Sequence, residues 1–178
     1  FNGTNARVDV AYNASLNPAG AFSIEIWAFP VTLNGLQTPV SSVTVAGSGR
    51  RGYALHQNAG SQWEFRLGDS MGTIATAAGE SPQTNVWTYL VGVYDGTNAW
   101  LYVNGVQTAF VPLSAAFQPN TNAPLRLGAL SSSTASNYFN GYLDEVAFHS
   151  RALTAAEIAQ RFDIATTAAT NYTNLIKT

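Results

Sequence analysis

Residues 87–106 read WTYLVGVYDGTNAWLYVNGV, and the fold turns on how this stretch is read. Trp87 to Tyr94 is apolar at both alternating sets of positions, which suits a strand covered on both faces. Asp95-Gly96-Thr97-Asn98 then carries turn chemistry, Ala99–Val103 is a second apolar run, and Asn104-Gly105 turns the chain again. Strands joined by such short turns lie antiparallel. Upstream, FSIEIWAF at 22–29 alternates, with Phe22, Ile24, Ile26 and Ala28 on one face and Ser23, Glu25, Trp27 and Phe29 on the other. Pro30 ends it, because proline has no N–H to give a ladder. GYALHQ at 52–57 and QWEFRL at 62–67 flank Asn58-Ala59-Gly60-Ser61, a four-residue hairpin turn. Leu125–Leu127 and Tyr142–Phe148 add two more strands. Turn signals about every ten residues predict an all-β sandwich, not βαβ units.

One helix is expected near the end. Thr154 as N-cap and Glu157 three residues on form a capping box, and Leu153 with Ile158 is placed for a hydrophobic staple. The pattern predicts a short helix from Ala155 to about Ile164, so the domain spans 1–164. The Thr-, Ala- and Asn-rich stretch 165–178 reads as a C-terminal tail or linker.

Composition narrows the function. The 178 residues are 46% apolar and 12% aromatic but only 10% charged, with a net charge of −2. A chain so poor in cations lacks the basic face of a phosphate-tracking nucleic-acid binder, or the polybasic patch that adheres to anionic membranes. Its apolar runs are far shorter than the ~20 residues that span a bilayer, so no membrane insertion is expected. Without cysteine there is no thiolate zinc site and no Cys nucleophile. A surface solvated by Thr, Asn, Ser and Gly suits a secreted or cell-surface setting. The start at Phe1 reads as a piece of a longer chain whose other domains are its neighbours.

Seven segments together resemble a known family. FNG at 1–3, FSIEIWAFP at 22–30, GYAL at 52–55, EFRLG at 64–68, WTYLVGVYDGTNAWLYVNGV at 87–106, RLGAL at 126–130 and YFNGYLDEVAFHSRALTAAEI at 138–158 are similar in order and spacing to LamG-like jelly-roll domains of the concanavalin A-like lectin/glucanase superfamily. The resemblance implies a two-sheet antiparallel jelly-roll sandwich, used mainly for carbohydrate or protein recognition. It also implies one structural Ca²⁺, with Asp144 of the LDEV block and backbone carbonyls near Asn2 and Gly3 as its holders.

Catalysis is not expected. Glycoside hydrolysis needs two carboxyl groups flanking one bond, and no strand here carries two acids at even spacing. The Glu-x-Asp-x-x-Glu motif of related laminarinases keeps only Glu25. His56, Glu64 and Arg66 fall on neighbouring strands facing outward, a trio that could serve a lyase or line a ligand site. His149 reads as a loop residue beyond the last strand. Binding is the favoured reading, with a polysaccharide or glycan as partner. Trp27, Trp63 and Trp87 read as core, whereas Trp100 and Tyr102 make an outward aromatic pair fit to stack on a sugar. Arg50 and Arg51, with Tyr138 at the end of the Ser131–Tyr138 loop, form a second candidate at the sandwich rim. Paired guanidinium groups there fit a sulfate or a uronate carboxylate. The sequence leaves open a protein-interaction or adhesion domain and, less favoured, a lyase or hydrolase.

Overall fold

Alternation along each strand builds a double layer. The computed structural model describes residues 1–46, 49–69, 71–72 and 74–175. One antiparallel sheet has six strands in the order β1 (Val8–Val10), β10 (Leu125–Leu127), β3 (Gln37–Ala46), β4 (Gly49–Gln57), β5 (Trp63–Asp69) and β6 (Ile74–Ala78). The other has five, in the order β11 (Gly141–His149), β2 (Phe22–Pro30), β7 (Thr88–Tyr94), β8 (Asn98–Val103) and β9 (Val106–Pro112). The inner positions of both sheets meet in one core. Phe22, Ile24, Ile26, Leu90 and Leu101 from the five-stranded sheet pack against Val40, Tyr53, Leu55, Trp63, Phe65 and Leu67 from the six-stranded one. Trp63 is core, as its pattern requires. β7 is central and buried at every position. Its Gly92 faces the Phe65 ring so closely that a Cβ there would lie 2.3 Å from a ring carbon.

Local signals placed the connections. Asn104 and Gly105 both adopt positive φ between Val103 and Val106, as a type I′ hairpin turn demands. The capping box forms as read: the Glu157 N–H donates to Thr154 Oγ1 at 3.3 Å and the Thr154 N–H to Glu157 Oε2 at 2.8 Å. Leu153 and Ile158 are both buried against the outer face of the five-stranded sheet. The helix, α1 (Ala155–Leu175), runs well past the expected end near Ile164, so 165–175 is helix where the composition suggested a connector. Thr and Ala carry no strong stop signal, and no glycine or proline interrupts the stretch. No helix among the described residues is long and apolar enough to cross a membrane.

Candidate functional site

Each sheet has an outer face, and the candidate residues divide between the two. On the six-stranded sheet, strand period two puts Arg50, Gly52, Ala54 and His56 of β4 outward with Glu64 and Arg66 of β5. His56 and Glu64 are direct cross-strand partners, so the expected trio does assemble. It assembles closed. His56 is 1% exposed and its Nδ1 is 2.8 Å from Thr38 Oγ1. Glu64 accepts hydrogen bonds from Asn58 Nδ2 and Arg66 Nε, both at 2.6 Å. The gap left among Arg50, His56, Arg66 and Ile74 is ≈ 10 Å³, too small for a sugar. Burial, then the charges of Arg66 and Arg50, lowers the His56 pKa to about 3, so the ring is neutral at ordinary pH.

The rim arginines separate. Arg50 and Arg51 are consecutive in β4 and therefore point to opposite faces, so they cannot fork onto one anion. Gly47 and Ser48, which precede these arginines in the polar stretch 47–51, lie outside the described residues. Tyr138 is half-buried in the 131–140 connection. That connection is pinned down, not free: Ser131 Oγ accepts the Val43 N–H at 2.5 Å, and Leu130 packs with Val43 and Ala54.

The calcium trio does not converge. Asn2 bridges Asn140, whereas Asp144 pairs with Trp27 further along β11. Positions 140 and 144 of an extended strand lie about 13 Å apart, far beyond the span of one ion's shell. At that separation Asp144 and the backbone carbonyls of Asn2 and Gly3 do not meet around one ion. No group of three His, Cys, Asp or Glu suited to a metal occurs among the described residues.

The outer face of the five-stranded sheet is different in kind. It carries Glu25, Trp27 and Phe29 of β2, Tyr89, Val91 and Val93 of β7, Trp100 and Tyr102 of β8, and Tyr142 of β11. Helix α1 covers part of it by setting Ile158 and Phe162 against Tyr89, Val91 and Tyr102. Tyr102 is thus buried, and the expected exposed Trp100–Tyr102 pair is not present. The helix that covers Tyr102 begins more than fifty positions away in the chain, which no strand pattern can foresee. Trp100 is half-buried, 4.4 Å from the Phe110 ring, and donates from Nε1 to Asp95 Oδ2 at 3.1 Å.

Beside the helix lies an open cleft of ≈ 1240 Å³. Its floor is Trp27, Trp87 and Tyr89, one wall is Phe162, Ile164 and Gln160 of α1, and the opposite rim is Asp144 and Glu145 of β11. Trp87 is 41% exposed, not core: it sits one residue before β7, past the helix's cover. From it an aromatic row runs across the sheet, Trp87 to Phe29 at 5.4 Å and Phe29 to Tyr142 at 5.7 Å, with Tyr142 61% exposed.

Under the helix, Glu25 is 5% exposed and fully engaged. Oε1 meets His149 Nε2 at 2.9 Å and Arg161 Nη1 at 3.0 Å, while Oε2 accepts a short hydrogen bond from the Tyr89 hydroxyl. Burial, then that bond to Glu25, raises the Tyr89 pKa, so the phenol stays protonated. His149 is the last residue of β11, not a loop residue, and clamps this network. The sequence hid the quartet because Glu25 and His149 are 124 positions apart. The one available signal was the outward placement of Glu25 and Trp27 by alternation.

Solved structures share this architecture at low identity. The botulinum neurotoxin serotype G binding domain matches at TM-score 0.69 and 15% identity over 92% of this chain and 41% of that one, so this chain spans about two-fifths of it. The Ruminococcus gnavus IT-sialidase CBM40 matches at TM-score 0.69 and 15% identity, over 89% of this chain and 97% of its own. The binding domain of Paraclostridial Mosquitocidal Protein 1 matches at TM-score 0.70 and 16% identity, over 91% and 42%. No curated protein matches the sequence. The Laminin G 3 family model matches residues 2–159, with the jelly-roll sandwich and the closing LDEV–RAL–EI block in place, and the chain belongs to that family of the concanavalin A-like lectin/glucanases superfamily.

Proposed function

We propose that the domain is a non-catalytic, lectin-like carbohydrate-binding module of a secreted or cell-surface multidomain protein, and that it grips a polysaccharide along the Trp87–Phe29–Tyr142 row and the adjoining cleft. The observation that carries this reading is the exposure of a Trp and a Tyr on a rigid sheet, next to an open groove with Asn104, Gln160 and Arg161 on its lining. Sugars present C–H faces to aromatic rings and hydroxyl edges to amide and guanidinium groups, and such rings lose little entropy on contact. Two structural neighbours support it: CBM40 of the Ruminococcus gnavus sialidase has been solved bound to alpha2,3 sialyllactose, and the binding domain of botulinum neurotoxin DC in complex with SialylT. Binding without turnover is consistent with a His56 that is neutral and walled in, and with a Glu25 whose two oxygens are both engaged.

The test is affinity gel electrophoresis over a panel of polysaccharides, with product release followed in parallel. Trp87→Ala combined with Tyr142→Ala is expected to abolish retardation, whereas Trp100→Ala is expected to keep it. Chelation by EDTA should leave retardation unchanged, since Asp144 lies well apart from Asn2 and Gly3. Undiminished retardation of the double variant, or release of sugar products, refutes the proposal.

A further inference from the structure

The charges around the cleft do not cancel. Four carboxylates line it: Glu25, Asp144, Glu145 and Glu157. Glu25 is matched by Arg161, and Glu157 is held by Arg151 at 2.6 Å. Among the described residues Asp144 and Glu145 have no cation partner. Both are exposed and both face the cleft, although neighbouring residues of a regular strand point to opposite sides. A bulge between Asp144 and Ala147 makes this possible, with Glu145 at φ +49. A left-handed non-glycine residue costs free energy, so the arrangement is not the default path of a strand.

A second feature of the rim points the same way. Tyr142 and Asp144 alternate on β11 and share its outer face, so an exposed ring flanks the carboxylate pair at about 7 Å. Trp87 lines the same cleft. Aromatic faces attract cations, and two like charges side by side are relieved by a cation but only hydrated by a hydroxyl. A carboxylate or sulfate on the sugar would meet uncompensated negative charge.

Building on the carbohydrate-binding reading above, we infer that the cleft takes a glycan bearing protonated amines, a polymer of deacetylated hexosamine, with sugar rings on Trp87 and Tyr142 and ammonium groups at Asp144 and Glu145. This reverses the polarity that the arginine-rich rim suggested. The acidic pair sets specificity and the rings set affinity.

The experiment compares three probes near pH 5.5, above the ordinary carboxylate range: soluble chitosan, N-acetylated chitooligosaccharide and polygalacturonate. Chitosan is expected to bind tightest and polygalacturonate not at all. D144N/E145Q should weaken chitosan binding about fivefold and leave the N-acetylated oligomer unchanged, whereas the control E80Q, at an exposed acid outside the cleft, should leave both unchanged. Melting curves verify that each variant is folded. Equal losses in E80Q and D144N/E145Q mean diffuse charge attraction and overturn the inference. If chitosan is ignored while another glycan of the panel binds in a Trp87-dependent way, the amine specificity falls and the binding module stands. If no glycan binds at all, both fall.

Discussion

The two outer faces of the sandwich are built by the same strand alternation and end in opposite states. On the six-stranded sheet the outward acids find cations within the face: Arg126 holds Asp9 at 2.6 Å and the Leu130 carbonyl at 2.8 Å, and Arg66 holds Glu64. The 131–136 connection lies across it, and what space remains is smaller than a sugar ring. On the five-stranded sheet the cover is a single helix, narrower than the sheet, so aromatic rings beyond its edge stay exposed and two acids have no cation partner among the described residues. A face becomes a site when its cover is incomplete. Residue type alone does not decide it, since the first face holds the more reactive-looking set.

The strongest way to break this contrast is to remove the cover. Ile158 is fully buried between α1 and the sheet, and Ile158→Ala should cost about 3 kcal/mol of stability, read as a lower urea midpoint. The same variant should lose polysaccharide retardation, because α1 supplies the wall of the cleft. Retained retardation in a destabilised variant would mean the flat row Trp87–Phe29–Tyr142 binds without the wall.

The equivalent cut on the sealed face should be purely structural. Arg126 is 7% exposed, and Arg126→Met leaves the Leu130 carbonyl without its donor and Asp9 with only the exposed Arg7, for an expected loss of about 2 kcal/mol with glycan binding intact. The pair also carries an acid signature. The hydrogen bond from Arg126 holds the Asp9 carboxyl below its usual range, so its stabilisation is present above the unfolded carboxylate pKa and fades as pH falls through the lowered folded value. Acid titrations of Tm for the wild type and Arg126→Met should therefore draw together as pH falls below about 4, leaving a gap set by the lost bond to the Leu130 carbonyl. Parallel curves would show that the pair contributes nothing.

What could be read in advance follows the range of the interactions. The strand–turn skeleton was legible because alternation, Asp-Gly and Asn-Gly act over a few residues, and β10 falls on Leu125–Leu127 as read. Strands β1, β3, β6 and β9 lie outside the runs legible in the sequence; in β3 the stretch PVSSVTVA puts Val40 in the core and Val43 on the other face, so no strict alternation marks it. The site was the least legible part. Strand patterning fixes that Glu25 and Trp27 point away from Phe22 and Ile24, but not whether a distant helix lands on them. Trp87 reads as core because its neighbours are apolar, and only the helix's path shows that it escapes cover.

The smallest expected effect sharpens the same contrast, because it loosens the cover without removing it. Thr154→Ala removes the acceptor for the Glu157 N–H at the start of α1, where a lost cap typically costs about 1 kcal/mol. Hydrogen bonds from Arg151, then from the Thr154 backbone and side chain, lower the Glu157 pKa to about 2. Being depressed, this group helps the folded state above its unfolded pKa, and the help is lost as pH falls toward 2. In Thr154→Ala the Glu157 pKa should rise, which NMR titration of the carboxyl reads directly. Glycan affinity should change less than twofold, since a frayed first turn shifts only Glu157 of the cleft lining and still leaves Phe162 stacked 5.8 Å from Trp27. A larger loss of affinity would show that the first turn of the helix, not its Phe162–Ile164 face, shapes the cleft.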